Sequence, residues 1–388
     1  MKIAVIAERS SAYGRNFICG IAGFAADRPQ WEYSLVEPNA AATGPEYDGY
    51  ICRSSDERLL SALARSGRPV VDCLCALPNP RFASVRTDAD AIGRLAAEHF
   101  LSLKFPNVAF CGYRRIAFSD RRRNAFAGFL EKYGMRPSIY RPPMHSRNRF
   151  GSDFLLGDRV ETPPDADDLA AWLSRLPKPC GVFCCDDLRA SQVLAMCRSQ
   201  GLAVPGDVAI LGVDDDPVYC MFSSPRLSSI DPGCAEIGRV AAAALAEMLA
   251  DPAAAASPPS LTVPPRRLEM RDSTNHYPCA PCWFASALAY IRENAAKGIS
   301  ASDVFRHVGL SRTPVEKGFR DAISRTVQQE ISEMRLAEAK RLLSATFLPV
   351  KEVAARSGFT SLEYFSRVFA AAAGVSPSAW RERNAVDV

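Results

Sequence analysis

Apolar residues in the first two-thirds of the chain fall into short unbroken runs, and between the runs they recur at helical spacing. The runs KIAVIA (2–7), GYICR (49–53), PVVDCLC (69–75), NVAFCG (107–112), GVFCC (181–185) and VAILGVD (208–214) read as strands buried on both faces. The stretches 90–103, 120–133, 187–200 and 234–250 repeat their apolar positions every three or four residues. Gly134 and Gly201 stand at helix ends, where a left-handed residue closes the last turn. Buried strands alternating with helices predict parallel sheets, and there are enough units for two doubly wound α/β subdomains. After residue 250 the pattern changes. DPAAAASPPS (251–260) reads as a loop, LTVPPRRLEMRDST (261–274) as a final strand and NHYPCAP (275–281) as a short linker. From Trp283 onward only helical periodicity remains. The expected organisation is an α/β region over 1–273, a linker over 274–282 and an all-α domain over 283–388.

The all-α domain contains a repeat. DVFRHVGLSRTPVEKGFRDAI (303–323) and EVAARSGFTSLEYFSRVFAAA (352–372) share one order of residues. A short helix ends at a glycine (Gly309, Gly358), an apolar residue follows to plug the angle (Leu310, Phe359), and a hydroxyl caps the next helix (Ser311; Thr360 or Ser361). That order is a helix-turn-helix. Val315 with Phe319, and Phe365 with Phe369, are i,i+4 pairs that would hold each second helix to its core.

Residues 285–383 resemble the DNA-binding domain of the arabinose-operon regulator family, most closely over VKEVAARSGFTSLEYFSRVFAAAAGVSPSAWRE (350–382). The resemblance implies two recognition helices, about 311–322 and 361–372, entering successive major grooves of double-stranded operator DNA. Outward-facing candidates for contact are Arg312, Thr313 and Lys317 on the first, and Ser361, Glu363, Tyr364 and Arg367 on the second. Arg suits guanine and the shorter polar groups suit the backbone. Two features set the first helix apart. Pro314 falls in its first turn, where a missing N–H costs little. Gly318 lowers helix propensity by about 1 kcal/mol and is expected to remove a phosphate contact.

The α/β region resembles the periplasmic-binding-protein-like sensors of the lactose and purine repressor family. The passages that carry this are Thr87-Asp88, Ala171-Trp172-Leu173, Gly212-Val213-Asp214, Val263-Pro264-Pro265 and Arg271-Asp272-Ser273. With Ala295 to Ile299 and Glu316-Lys317, the order of domains is most similar to the xylose-operon regulators, which join such a sensor to an arabinose-regulator-type domain. The resemblance implies a small effector, a sugar such as xylose or a related polyol, with a non-sugar metabolite as the alternative. Two tails linked through their sensors gain effective concentration on a repeated site, so a homodimer is expected, with RNA polymerase as a further partner.

The effector site can be approached from the residues. In an open α/β sheet, ligands bind beyond the carboxyl ends of the strands. Asp88, Asp186, Asp187 and Asp214 all follow strand runs, and carboxylates accept from sugar hydroxyls. The positions matching Asp88, Asp186 and Asp214 line the effector cleft of the repressor family. Arg122 and Arg123 could donate and balance the charge; Tyr13 and Arg15, at the first strand-to-helix loop, could add a stacking face and a donor. An Asp after a strand also caps the helix that follows it, which is the competing role for Asp88 and Asp187.

Charge adds a little. Residues 283–388 carry 15 Lys and Arg against 11 Asp and Glu, and the rest of the chain carries 32 of each, so the excess lies in the DNA-binding part. No phosphate loop or nucleophile elbow is present, and none of the four histidines sits in a triad or metal pattern, so an enzyme is not expected. Cys279-Ala-Pro-Cys282 is a lone CxxC with only His276 nearby, short of a zinc site. Pro281-Cys282-Trp283-Phe284 lacks the His-Arg of the alkyl-accepting repair nucleophile. No cofactor or metal is expected. The opening MKIAVIAERS lacks a signal-peptide core and no apolar run reaches about 18 residues, so a cytoplasmic protein that does not enter a membrane is expected.

Overall fold

The computed structural model describes all residues except 37–42, 45, 78, 143–164, 276–282, 347 and 385–388. The chain divides into two units, Met1–His276 and Tyr277–Val388. The CxxC cysteines, His276 and most of the expected linker therefore lie outside the described residues.

The first unit is two lobes, each with a sheet of six strands. Strands β1 (Lys2–Ile6), β2 (Glu32–Val36), β3 (Gly49–Cys52), β4 (Val70–Asp72) and β5 (Ala83–Thr87) build the first lobe. Strands β6 (Asn107–Cys111), β7 (Ser138–Ile139), β8 (Cys180–Cys184), β9 (Val208–Val213) and β10 (Ser228–Asp231) build the second. The chain then returns: β11 (Ser260–Val263) lies parallel on β5, and β12 (Arg267–Glu269) lies antiparallel on β10. The sheet orders are β11-β5-β4-β3-β1-β2 and β12-β10-β9-β8-β6-β7. LTVPPRRLEMRDST is thus two strands in different sheets. Pro264-Pro265, which cannot donate to a ladder, separates them. DPAAAASPPS contains a helical turn, Pro252–Ala256, opened by Asp251 accepting from the Ala253 amide, so it is not all loop.

Helices α1 (Ala12–Ala26), α2 (Glu57–Arg65), α3 (Ala89–Ser102), α4 (Ala117–Glu131), α5 (Ala166–Arg175), α6 (Asp187–Ser199), α7 (Pro217–Phe222) and α8 (Cys234–Ala250) flank these sheets. α1 and α8 press together in the first lobe over Ile3, Val5, Ile51 and Val71. Their backbones meet at glycines: a Cβ on Gly238 would stand 2.0 Å from the Phe17 carbonyl oxygen, and one on Gly20 would stand 1.8 Å from that of Ala235. No larger residue permits that approach. Three segments cross between the lobes, after β5, after β10 and between β11 and β12. They are tied by Asp88 N–H to the Val263 carbonyl (2.8 Å) and Arg266 N–H to that of Asp231 (2.9 Å).

The second unit is helical. It contains α10 (Phe284–Asn294), α11 (Ala301–Val308), α12 (Arg312–Ile323), α13 (Val327–Ala345), α14 (Val350–Arg356), α15 (Leu362–Ala373) and α16 (Pro377–Asn384), with α9 being the turn Pro252–Ala256 of the first unit. It has two cores. Phe284, Leu288, Val304, Val315 and Phe319 form one; Leu342, Val353, Phe359, Phe365 and Phe369 form the other. α13 serves both, giving Val327 and Ile331 to the first and Leu336, Ala339, Leu342 and Leu343 to the second. Among the described residues no helix is long and apolar enough to cross a membrane.

Candidate effector cleft and nucleic-acid interface

The cleft of the first unit lies where strand ends of the two lobes face each other. From the first lobe Ser11, Tyr13, Arg53, Arg86 and Thr87 line it; from the second, Phe118, Arg121, Arg122, Asp186 and Asp214. The lobes touch across it: the Ala12 amide donates to Asp216 Oδ2 at 3.0 Å, and Arg121 Nη2 reaches the Leu74 carbonyl at 3.5 Å.

Four of the seven expected ligand residues are brought together here. Tyr13 is held in the first turn of α1, not in the preceding loop, because Ser11 caps that helix by accepting from Gly14 N–H. Its phenol stays protonated, its pKa raised by burial first and then by Cys234. The Arg53 guanidinium lies 4.0 Å from the ring centroid, and its charge is met by buried Glu8 at 2.8 Å. Asp214 directly follows β9 with φ at +118°, a backbone region that a non-glycine residue rarely holds. Such strain persists only where the surroundings impose it, and here Asp214 N–H is fixed to the Ile230 carbonyl at 2.9 Å. Arg122, almost fully buried, donates to the Cys185 carbonyl and stands 3.8 Å from Asp214. Asp186 caps α6, accepting from Arg189 N–H at 2.7 Å, while the Tyr113 hydroxyl donates to it at 3.3 Å.

The other three are placed elsewhere. Asp88 caps α3 through the Ala91 amide (2.9 Å) at a lobe crossover and does not line the cleft. Arg15 turns back to the Arg9 and Ser10 carbonyls on the surface. Arg123 pairs with Asp120 one helical turn away at 2.7 Å. Asp187 does not take the capping role considered for it, which falls to Asp186. Buried, with its pKa raised well above the carboxylate range by desolvation first and then by Asp214, it accepts from Ser229 Oγ (2.6 Å) and Asp216 N–H (2.8 Å).

Sequence reasoning missed Arg53, Arg86 and Arg121. Arg53 was reachable, since it directly follows the run GYIC. Arg86 lies within β5 and Arg121 beside Arg122, and only the tertiary fold brings them together.

In the second unit the recognition helices are α12 and α15, within one residue of the expected bounds. Arg312, Thr313, Lys317, Glu363, Tyr364 and Arg367 are exposed and Ser361 is half-buried as the α15 cap, accepting from Tyr364 N–H at 3.2 Å. Arg367 lies 5.5 Å from the Tyr364 ring centroid. Two expectations are corrected. Gly318 is buried on the inner face with Val315 and Phe319, so a basic residue there would not have met phosphate. Leu310 is 36% exposed and does not plug its turn, whereas Phe359 is buried and does.

A two-lobed cleft and a double helix-turn-helix in one chain define a DNA-binding transcription regulator that carries its own sensor domain. The periplasmic binding protein-like domain matches residues 97–274, and a helix-turn-helix domain matches residues 304–383. The chain is similar over nearly its whole length to the xylose operon regulatory proteins. It is 26% identical to that of Haemophilus influenzae, over 98% of each chain. It is also 26% identical to that of Escherichia coli K12, over 99% of this chain and 97% of the relative. The solved structure of a xylose-binding transcription activator superimposes with a TM-score of 0.66 at 26% identity, covering 99% of this chain and 98% of that one.

Proposed function

We propose that this chain is a sugar-controlled transcription regulator of the cytoplasm that catalyses no reaction. The observation that carries the reading is the joining, in one chain, of a cleft holding Tyr13, Asp186 and Asp214 to a domain with two recognition helices. The aromatic face and carboxylates suit a polyol such as xylose, the sugar bound by the activator it superimposes on. Sugar binds the open and closed cleft with different affinity, and the shift in population is passed to the DNA-binding domain. Arg312, Thr313, Lys317, Ser361, Glu363, Tyr364 and Arg367 face double-stranded operator DNA. A homodimer holds two such domains on a repeated site and gains effective concentration from doing so. RNA polymerase is the further partner of an activator of this kind.

The test uses the full chain and duplex DNA from its own promoter region. Affinity should fall linearly in log–log terms with salt, and a chain ending at residue 276 should not bind. Sugar should raise thermal stability and change DNA affinity by about 5- to 150-fold. A truncated chain that kept full DNA binding, or a stability unmoved by any sugar, would overturn the reading.

A further inference from the structure

The charges in the cleft do not balance. Four arginines line it, Arg53, Arg86, Arg121 and Arg122, against two carboxylates, Asp186 and Asp214. Glu8, behind the wall, answers Arg53 at 2.8 Å, and Asp214 stands 3.8 Å from Arg122. Arg86 and Arg121 have no carboxylate within ion-pair distance among the described residues; Arg86 rests on the Ser84 and Ser260 hydroxyls at 3.3 and 3.2 Å, and Arg121 on a carbonyl at 3.5 Å. Burial first, and then neighbouring Arg86 and Arg122, hold the Arg121 guanidinium below its usual pKa, against the opposite pull of Cys75 and of the buried Asp72 carboxylate. Buried donors also stand unused in this wall, Arg53 Nε and Arg122 Nε. A hydroxylated neutral ligand can occupy the acceptors but leaves these cations facing each other.

We propose that the effector is an anionic sugar derivative, a polyol bearing a carboxylate or a phosphate, whose charged group is bound between Arg86 and Arg121. This rests on the sugar reading above and narrows it. The two arginines come from opposite lobes: Arg86 is on β5 and Arg121 on α4. Without an anion their mutual repulsion opposes closure. An oxyanion between them supplies charge-assisted hydrogen bonds to both sides and turns the repulsion into a clasp. Charge on the ligand would thus set both affinity and the closing of the cleft, while Asp186, Asp214 and Tyr13 hold the hydroxylated remainder.

Calorimetry on the full chain tests this with matched probes: D-xylose and D-glucose, the acids D-xylonate and D-glucuronate, and the phosphates D-xylose 5-phosphate and D-glucose 6-phosphate. The expected result is that one anionic class binds about tenfold to a hundredfold tighter than the neutral sugars, and the class that does so tells carboxylate from phosphate. Arg121→Gln and Arg86→Gln should each abolish that preference, and Arg121→Lys should keep most of it, which separates lost charge from lost folding. If a neutral sugar binds as tightly as every anion, the charge inference is wrong and the sugar reading stands. If no probe binds, both fall. A preference unchanged in properly folded Arg121→Gln and Arg86→Gln variants would overturn the assignment to these two residues.

Discussion

The two helix-turn-helix units follow one pattern of residues but are not fixed in the same way. In the second, Phe359 is buried against Phe365 with ring centroids 5.1 Å apart, Gly358 sits on the backbone of Ala295 and Ala296, and Ser361 closes its cap. In the first, Leu310 is half-exposed, Gly309 has open space around it, and Ser311 makes no side-chain cap bond. The missing cap has a plain cause. A cap hydroxyl accepts from the second or third amide of its helix; the third residue of α12 is Pro314, which has none, so only the Thr313 amide is left to Ser311. A shared motif therefore specifies a shape, while the stability of that shape is decided by what the turn rests on.

The largest test of this contrast is at the turn plug. Phe359→Ala should cost about 3–5 kcal/mol by chemical denaturation of the helical unit, whereas Leu310→Ala should cost under about 1 kcal/mol. Equal losses would mean that Leu310 plugs its turn as Phe359 does. The glycines come next. Both hold positive φ, +68° at Gly309 and +82° at Gly358, so alanine strains either turn by about 1–2 kcal/mol. At Gly358 the new Cβ would also stand 2.4 Å from the Ala295 carbonyl oxygen, adding about 1–3 kcal/mol for the displaced backbone. In DNA binding, Arg367→Ala should lower affinity for the specific site by about 1–3 kcal/mol. Lys317→Ala, on the less firmly fixed helix, should cost less in the same binding titration, and the reverse order would break the comparison. The smallest effect is at the caps. Ser361→Ala should cost about 1 kcal/mol and Ser311→Ala only a few tenths. In a Pro314→Ala background Ser311 regains an amide to accept from, so the cost of Ser311→Ala should rise; a double-mutant cycle measures this directly.

The helix-turn-helix repeat was legible because its signals are local. Glycine, cap and apolar pair lie within about a dozen residues, and the recognition helices came out within one residue. Gly318 was misjudged although the spacing held the answer: three residues after Val315, it falls on the same inward face. The cleft was half legible. Strand-end Asp186 and Asp214 could be found from the alternation of strands and helices, but Asp88 has the same sequence context and spends its oxygen on the Ala91 amide. Asp186 caps α6 and still lines the cleft, so capping does not separate the two; which strand-end carboxylate faces the cleft depends on where the chain crosses between lobes. Nothing near residue 88 records that. The pairing of Arg86 with Arg121 depends on two elements of different lobes, which no local pattern reports.

One helix carries a consequence for the DNA and not for the protein. α13, nineteen residues and about 28 Å long, has its first half in one core and its second half in the other. The two reading heads are thereby gauged to each other. Each base pair added between their targets would shift one target by about 3.4 Å and turn it by about a tenth of a revolution. A stiff gauge cannot follow such a shift, so an operator should tolerate a changed base within one target better than one base inserted between the two. Spacing in the promoter is then a quantity the regulator measures, with the apolar residues of α13 setting the scale.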